Sequence, residues 1–383
     1  MPRFLHTADW QIGRLFSSFD PEDALPLAEA RLAAVERLAA LACTHEVDAV
    51  LVAGDVFDAQ TVSERTIRRM FNAMAGFSGP WVLISGNHDA ALAESVWTRA
   101  QRLGAVPAHV HLALRPEPLL LEACRTAILP APLSQRHTYG DSTAWFDAAE
   151  TPAGWLRLGL AHGSVQGILA ESMVDATNPI APDRAARARL DYLALGDWHG
   201  GKRIEARCWY SGTPEPDRFK ANDSGQALLV EIDAPGAEPR VQALRTAQFD
   251  WLELSASLRV ASDLDGLLQR LEALPAQTVL SLQLEGQLAL DLHQRLNAAL
   301  AVLRGRLRHL SVEASALSLA PTDEDIAALQ ADGYLAEVIA ELRELGTAGT
   351  ASTSEEPGEA EIAREALALL TAALAQRRTE LSA

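Results

Sequence analysis

Five times within the first 200 residues of this 383-residue chain, a short apolar run stops in a cluster of Asp, Asn, Gln, His and Gly. Asp9-Trp10-Gln11 ends the first run, and Gly54-Asp55 follows VDAVLVA. Gly86-Asn87-His88-Asp89 follows WVLIS, Ala161-His162-Gly163 closes LRLGLAHG, and Gly196-Asp197-Trp198-His199 follows DYLAL. Unbroken apolar runs of this length read as buried strands. Polar residues placed directly after such strands collect on one rim of a sheet, where α/β folds place their sites.

The spacing between the runs sets the rest of the reading. Strands are expected at Phe4–Asp9, Val47–Asp55 and Trp81–Ser85, with helices at Ala24–Cys43, Val62–Met74 and Ala90–Leu103 between and after them. Closer-set strands follow at Val110–Leu114, Leu119–Glu122, Thr126–Leu129, Trp155–Ala161, Tyr192–Leu195, Ala206–Ser211, Ala227–Asp233 and Val241–Arg245. That is a layered α/β domain over residues 1–247. Residues 248–321 read as a second, small β-α-β-α-β domain, with strands at Phe249–Ser255, Thr278–Glu285 and His309–Ser315 and helices at Asp263–Ala273 and Leu290–Arg304. Residues 322–383 read as two helices, Asp323–Leu345 with Thr322 as its cap and Glu359–Leu381. The segment 346–358 between them is rich in Gly, Ser and Thr and reads as a flexible linker.

Composition excludes several classes. Apolar residues make up 48% and charged residues 22%, the profile of a globular protein rather than a disordered one. No apolar run reaches the length of a membrane span, and acidic Asp9 argues against a signal peptide. Three well-separated cysteines, Cys43, Cys124 and Cys208, form no disulfide framework, which points to a reducing compartment such as the cytoplasm. The formal charge of −18 argues against strong non-specific duplex binding but not against a phosphate substrate held through metal ions. Half of that excess lies in residues 322–383, which carry 13 acidic and 4 basic groups. Only two of the 33 basic residues are lysines, Lys202 and Lys220.

Oxygen and imidazole groups at the strand ends suit divalent cations such as Mn, Mg, Fe or Zn. Two such ions about 4 Å apart can clamp a phosphate and activate water. The motifs taken together, in the order D-x-(H), GD, GNHD, H and (H)-x-H, resemble the calcineurin-like metallophosphoesterase superfamily. HTADWQIG, GDVFD and YSGTPEPDRF further resemble its bacterial DNA-repair members, the SbcD-type nucleases. The resemblance implies a four-layer α/β/β/α sandwich with a small βαβαβ cap domain and C-terminal helices. It implies a metal-dependent phosphodiesterase that cleaves DNA as an exonuclease or endonuclease subunit, with two divalent ions, usually manganese. One metal would be held by Asp9, Asp55 and His199, the other by Asp55, Asn87 and His162. His88 would stabilise charge on phosphorus or assist the leaving oxygen, and Asp89 would orient His88. The C-terminal helices would dock on the coiled coil of an SMC-like ATPase, and a homodimer fits the same pattern.

Two positions depart from that pattern. Gln11 stands where a metal-binding histidine is usual, and Asp197 where the first histidine of GHxH is usual. The first weakens one metal position and the second adds an anionic ligand to the other. Two rival readings remain open on sequence: a phosphodiesterase for small phosphoesters or cyclic nucleotides, and a catalytically weak scaffold that binds DNA ends. Cleavage polarity, strand preference and native substrate are not legible in the chain.

Other signals carry less. Gly196–Lys202 fits G-x-x-x-x-G-K, but Arg203 follows where a P-loop needs Ser or Thr, and a strand is expected there rather than a helix. Ser164 lies beside His162 without a nucleophile elbow. His109 and His111 read as a packed or solvated pair, and His6 as either a core histidine or one that supports the metal ligands from behind. Candidate nucleic-acid contacts are Arg65, Arg68 and Arg69; Lys202, Arg203 and Arg207; and Arg304, Arg306 and Arg308. Ile362, Ala366, Leu369, Leu370, Ala373 and Leu374 form an apolar stripe at helical spacing in the last helix; it either packs on the chain's own core or, as the linker suggests, belongs to a detached helix free to dock on a partner.

Overall fold

The computed structural model describes residues 1–167, 177–319, 334–347 and 358–382. Most of the 346–358 linker, the Thr322 cap and the first half of the helix expected from Asp323 lie outside the described residues. The chain divides into two compact units, Met1–Asp250 and Trp251–Ala383.

The first unit is the four-layer α/β/β/α sandwich. Its first sheet contains β1 (Arg3–Thr7), β2 (Ala49–Val52), β3 (Trp81–Leu83) and β4 (Val110–Leu112), all parallel. The second contains the parallel strands β6 (Thr126–Ala131), β7 (Leu156–His162) and β10 (Tyr192–Gly196), with β5 (Leu119–Leu121) antiparallel on one edge. A short pair, β8 (Ser164–Val165) and β9 (Pro179–Ile180), follows β7. The expected strand over Ala206–Ser211 is the second arm of a hairpin, β11 (Lys202–Glu205) and β12 (Cys208–Tyr210). Finally β13 (Gln226–Glu231) returns antiparallel to β1 and pairs with β14 (Arg240–Arg245). The strand orders are β14-β13-β1-β2-β3-β4 and β11-β12-β10-β7-β6-β5.

Alternation explains why these strands read as continuous apolar runs. Ala49 and Leu51 point between the sheets, where they meet Leu158, Leu160, Tyr192 and Ala194. Val50 and Val52 point the other way, onto α1 (Pro21–Thr44), α2 (Glu64–Ala73) and α3 (Val96–Arg102). With both faces covered, every position of β2 is buried. Leu193 and Leu195 of β10 face the outer layer around α4 (Arg184–Arg187). The α3 helix is shorter than the sequence suggested. Its start is fixed at Ser95, whose hydroxyl accepts from Thr98 N while Thr98 Oγ1 accepts from Ser95 N. Residues 90–95 are held instead by loop bonds, such as Ala91 N to Leu133 O.

The second unit has the expected βαβαβ order: β15 (Asp250–Leu258), α5 (Ala261–Glu272), β16 (Thr278–Leu288), α6 (Leu290–Arg306) and β17 (His309–Leu319). Its core cluster of buried residues is entirely leucine, from Leu258 on the first strand to Leu307 before the last. Two further helices, α7 (Tyr334–Thr347) and α8 (Glu359–Ser382), contact each other, and α8 also contacts β17. The last helix is therefore not detached. It buries Ala363, Leu367, Ala368 and Thr371, one step round the helix from the stripe read in the sequence, and leaves Ile362 and Leu369 of that stripe exposed. Among the described residues, no helix is long and apolar enough to cross a membrane.

Candidate metal centre

The carboxyl ends of β1, β2, β3, β7 and β10 deliver all five motifs to one rim. The loops after β1 and β2 are laced together: Asp9 N donates to Gly54 O (3.1 Å), Gln11 N to Asp55 O (2.9 Å) and Ile12 N to Val56 O (2.8 Å). This lacing bends the chain sharply. Asp9, Gln11, Asp55 and Asp197 all hold positive φ, at 54°, 45°, 52° and 99°. Non-glycine residues rarely adopt that region, and such strain concentrates at functional sites. Glycines supply the remaining closeness. A Cβ on Gly54 (φ +88°) would sit 2.5 Å from His162 Nδ1, and one on Gly86 would collide with Asp55 Oδ1.

Asp9, Asp55 and His162 form the core of the cluster, buried, with one ligand atom of each lying within 4.8 Å of the others. His162 Nδ1 donates to Ala53 O (2.8 Å), which turns Nε2 inward. Around Nε2 stand Asn87 Oδ1 at 3.1 Å, Asp55 Oδ1 at 3.6 Å and Asp197 Oδ1 at 3.6 Å. Asp197 thus joins the side of the centre that holds Asn87 and His162. Its own amide donates to the carboxylate of Asp9 (3.1 and 3.2 Å).

On the other side, His199 Nδ1 bonds Asp217 Oδ2 (3.0 Å), and Gln11 Nε2 lies 3.2 Å from His199 Nε2. Asp217 was not singled out by sequence reasoning, although it sits within the YSGTPEPDRF motif. Arg218 binds it from the next position. Arg31, buried on α1, was also missed. It donates to Asp9 O (3.0 Å), Trp10 O (2.6 Å), Thr213 Oγ1 (3.0 Å) and Glu215 O (3.1 Å), tying the β1 loop to the segment that carries Asp217. An arginine inside a helix gives no signal of such a role in sequence.

His88 N donates to Asp55 Oδ1 (2.9 Å), and its Nδ1 bonds Asp58 O (2.8 Å). The half-buried ring then presents Nε2 at 4.0 Å from Asp55 Oδ2. Asp89 does not touch this ring, contrary to the expectation that it orients His88. Both its oxygens are taken by backbone amides of Gly86 (2.7 Å), Val56 (2.9 Å) and Phe57 (3.1 Å), so it locks the two loops to each other.

Electrostatics show a cluster short of positive charge. Burial pushes Asp9 up to about 6, with the neighbouring imidazoles opposing the shift. Burial and the Asp55 charge push Asp89 up to about 7. Burial also raises Asp197. Burial would lower His162, but Asp55, Asp197 and Asp9 outweigh it and hold the imidazole at about 9. Carboxylates that resist ionisation beside an imidazole that retains its proton hold protons that a divalent cation would displace on binding. The donor set, carboxylate and amide oxygen with imidazole nitrogen, fits such ions.

Among the remaining candidates, His6 is a core residue, bonded to Tyr192 Oη (3.0 Å) and Leu195 O (3.1 Å). His111 lies in β4 opposite Val82, and neither it nor His109 joins the cluster. Lys202 begins a strand, which removes the P-loop reading. Arg306 is turned onto Leu271 O and Leu274 O, and Arg69 pairs with Glu29, so both have structural partners. Both lysines of the chain lie over the ring of Trp198, Lys220 Nζ at 4.4 Å and Lys202 Nζ at 5.8 Å from its centroid.

A rim of this kind on a four-layer sandwich defines a metal-dependent phosphoesterase. A family model for the calcineurin-like phosphoesterases matches residues 2–172. The SbcD subunit of nuclease SbcCD from Rhodobacter capsulatus is 32% identical over 285 residues, 62% of this chain and 68% of that protein. Its namesake in Escherichia coli K12 is 41% identical over 91 residues, 23% of this chain and 21% of that protein. The crystal structure of TT1561 of Thermus thermophilus aligns with a TM-score of 0.41 at 11% identity, over 64% of this chain and 99% of that one, a likeness too low to carry argument. The chain belongs to the calcineurin-like metallophosphoesterases and, within them, to the SbcD-like family. It is a phosphodiester hydrolase that works with divalent metal ions.

Proposed function

We propose that the chain cleaves DNA as the nuclease subunit of an SbcCD-type repair complex, with manganese as its working metal. The observation that carries this reading is the convergence of five strand-end motifs on one buried, proton-retaining cluster, in a chain related to an SbcD nuclease subunit over 285 residues. Asp55, Asn87, His162 and Asp197 would hold one ion, and Asp9, Asp55, His199 and Gln11 the other, with Asp55 shared. Bound divalent ions polarise a phosphate and lower the pKa of water. The oxygen-rich donor set favours manganese or magnesium over zinc.

The chain's own residues supply the rest. His88 is restrained by Asp58 O and Asp55, so its Nε2 is held facing the centre, where a protonated ring donates to a phosphoryl or leaving oxygen. Asp89 keeps that loop in register through three backbone bonds. Asp217 fixes the tautomer of His199 through Nδ1. In this reading residues 1–247 carry catalysis, 248–321 form a cap, and 322–383 meet a coiled-coil ATPase, with Ile362 and Leu369 on the open side of α8 available to it. The three cysteines are free, consistent with a cytoplasmic setting.

Purified chain with manganese should hydrolyse both linear DNA and bis-p-nitrophenyl phosphate. Turnover of the small ester alone would favour a small-molecule phosphodiesterase. Turnover of neither would favour a binding scaffold.

A further inference from the structure

We propose that Arg14 closes one half of the metal centre, so that the chain holds one divalent ion tightly and a second only weakly. The inference rests on the phosphoesterase reading and concerns how this particular chain fills its site. Arg14 Nη1 donates to Gln11 Oε1 at 2.7 Å. A guanidinium has only donors, so this bond decides which way the buried amide lies. The oxygen faces Arg14, and the NH2 group faces His199 Nε2 at 3.2 Å. His199 Nδ1 donates to Asp217 Oδ2, which leaves Nε2 as the acceptor of the Gln11 amide. Arg218 Nη2 stands as close to Nδ1, but it has the same Asp217 oxygen to donate to. Neither the Gln11 oxygen nor the His199 lone pair then points at an ion.

Arg14 is itself clamped. Its Nη1 lies 3.3 Å from Asp217 Oδ2 and 3.8 Å from Asp58 Oδ1, and its guanidinium stands 5.5 Å from the centroid of the Phe16 ring. One carboxylate, Asp217, thus holds both the histidine and the arginine that occupies the histidine's neighbour. The other half of the centre has no such lock. His162 Nδ1 is spent on Ala53 O, its Nε2 faces into the cluster, and the groups that surround it there, Asp55, Asn87 and Asp197, are all oxygen ligands with no guanidinium among them. The two departures from the family pattern act together: Asp197 strengthens one position while Gln11, turned by Arg14, withdraws two donors from the other. Filling the weaker position means breaking the charge-assisted bond to Gln11 and the amide bond to His199, and bringing a second dication near a guanidinium. Those losses correspond to a gap of about a hundredfold or more between the two dissociation constants.

Arg14 is here a positioning residue, and its test reads the metal rather than turnover. Full-length chain is titrated with manganese by calorimetry and followed by electron paramagnetic resonance. The expected result is one tight manganese per chain with the spectrum of an isolated ion. Arg14→Ala, which frees the Gln11 amide, and Gln11→His, which restores an imidazole, should each bring the second ion to within about tenfold of the first and give the spectrum of a coupled pair. Two ions of equal affinity in the wild type would overturn the proposal and leave the phosphoesterase reading standing. A gap unchanged in Gln11→His would also overturn it, and that variant carries the test if Arg14→Ala fails to fold. A folded wild type that takes up no manganese would overturn the phosphoesterase reading itself, and this inference with it.

Discussion

In the first unit, the residues of the candidate metal centre are fixed by polar bonds that tie separate loops together. His162 is held by Ala53, Asp89 by one amide of its own loop and two of the loop after β2, and Asp9 by the amide of Asp197 and the guanidinium of Arg31. In the second unit, the core is a cluster of leucines on one side of a three-stranded sheet. The difference teaches what each kind of order is for. A leucine core needs volume and pattern, and tolerates exchange of one apolar residue for another. A catalytic rim needs particular atoms within fractions of an ångström, and only directional bonds between specific partners provide that.

The sharpest way to break this contrast is at Asp55, the carboxylate proposed to be shared between two ions. Asp55→Asn should abolish metal binding and turnover together, whereas His88→Ala should lower turnover by about 10²–10⁴-fold with metal affinity nearly intact. Calorimetric titration of both variants decides it, and equal loss of metal in the two would remove the role given to His88. In the second unit, Leu282→Ala leaves a cavity at a fully buried position and should cost about 2–5 kcal/mol of stability, read by urea unfolding. It should leave manganese affinity unaltered, and a change in that affinity would mean that the second unit does shape the rim.

A smaller effect is expected from His6, which lies between the sheets. Burial lowers its pKa to about 3. The neutral ring is therefore the native form, and its contribution to stability is complete above about pH 6.5. As the pH falls from there towards 3, the unfolded chain takes up the proton first, and stability drops by about 1.4 kcal/mol per unit. Urea unfolding at a series of pH values should show this slope in the difference between the wild type and His6→Gln, since the raised carboxylates contribute equally to both. Smallest of all, replacing Lys202 and Lys220 by alanine should flatten the dependence of DNA affinity on salt by up to about 2 in the log–log slope. An unchanged slope would show that the pair over Trp198 only covers the ring.

The sequence carried the strands well because buried parallel strands are apolar on both faces, and runs such as VDAVLVA and DYLAL leave little else to be. It carried the rim for the same reason: strand ends are where such runs must stop, so Asp9, Asp55, Asn87, His88, His162 and His199 were legible from position as much as from type. Elements whose ends depend on local bonds were less legible. The α3 helix starts at Ser95 because of a reciprocal cap with Thr98, and the Lys202–Tyr210 hairpin is too short for a period to show. The last helix presents apolar residues nearly all the way round, so periodicity alone could not say which of them meet α7 and β17.

What the chain determined by itself is thus the layered sandwich, the leucine-rich second unit and the list of donors at the rim, since each follows from local pattern and burial. What only the tertiary structure decided is how those donors are used. Asp89 locks backbone rather than steering His88, because two amides from the loop after β2 and one from its own loop take its oxygens. Asp217 lies in the YSGTPEPDRF stretch, but only the fold brings it to His199, and Arg31 joins the cluster from inside a helix that gives no signal of it. The Gln11 amide faces His199 with its nitrogen because Arg14 holds its oxygen, and a hydrogen bond's direction is fixed by where its partner stands in space.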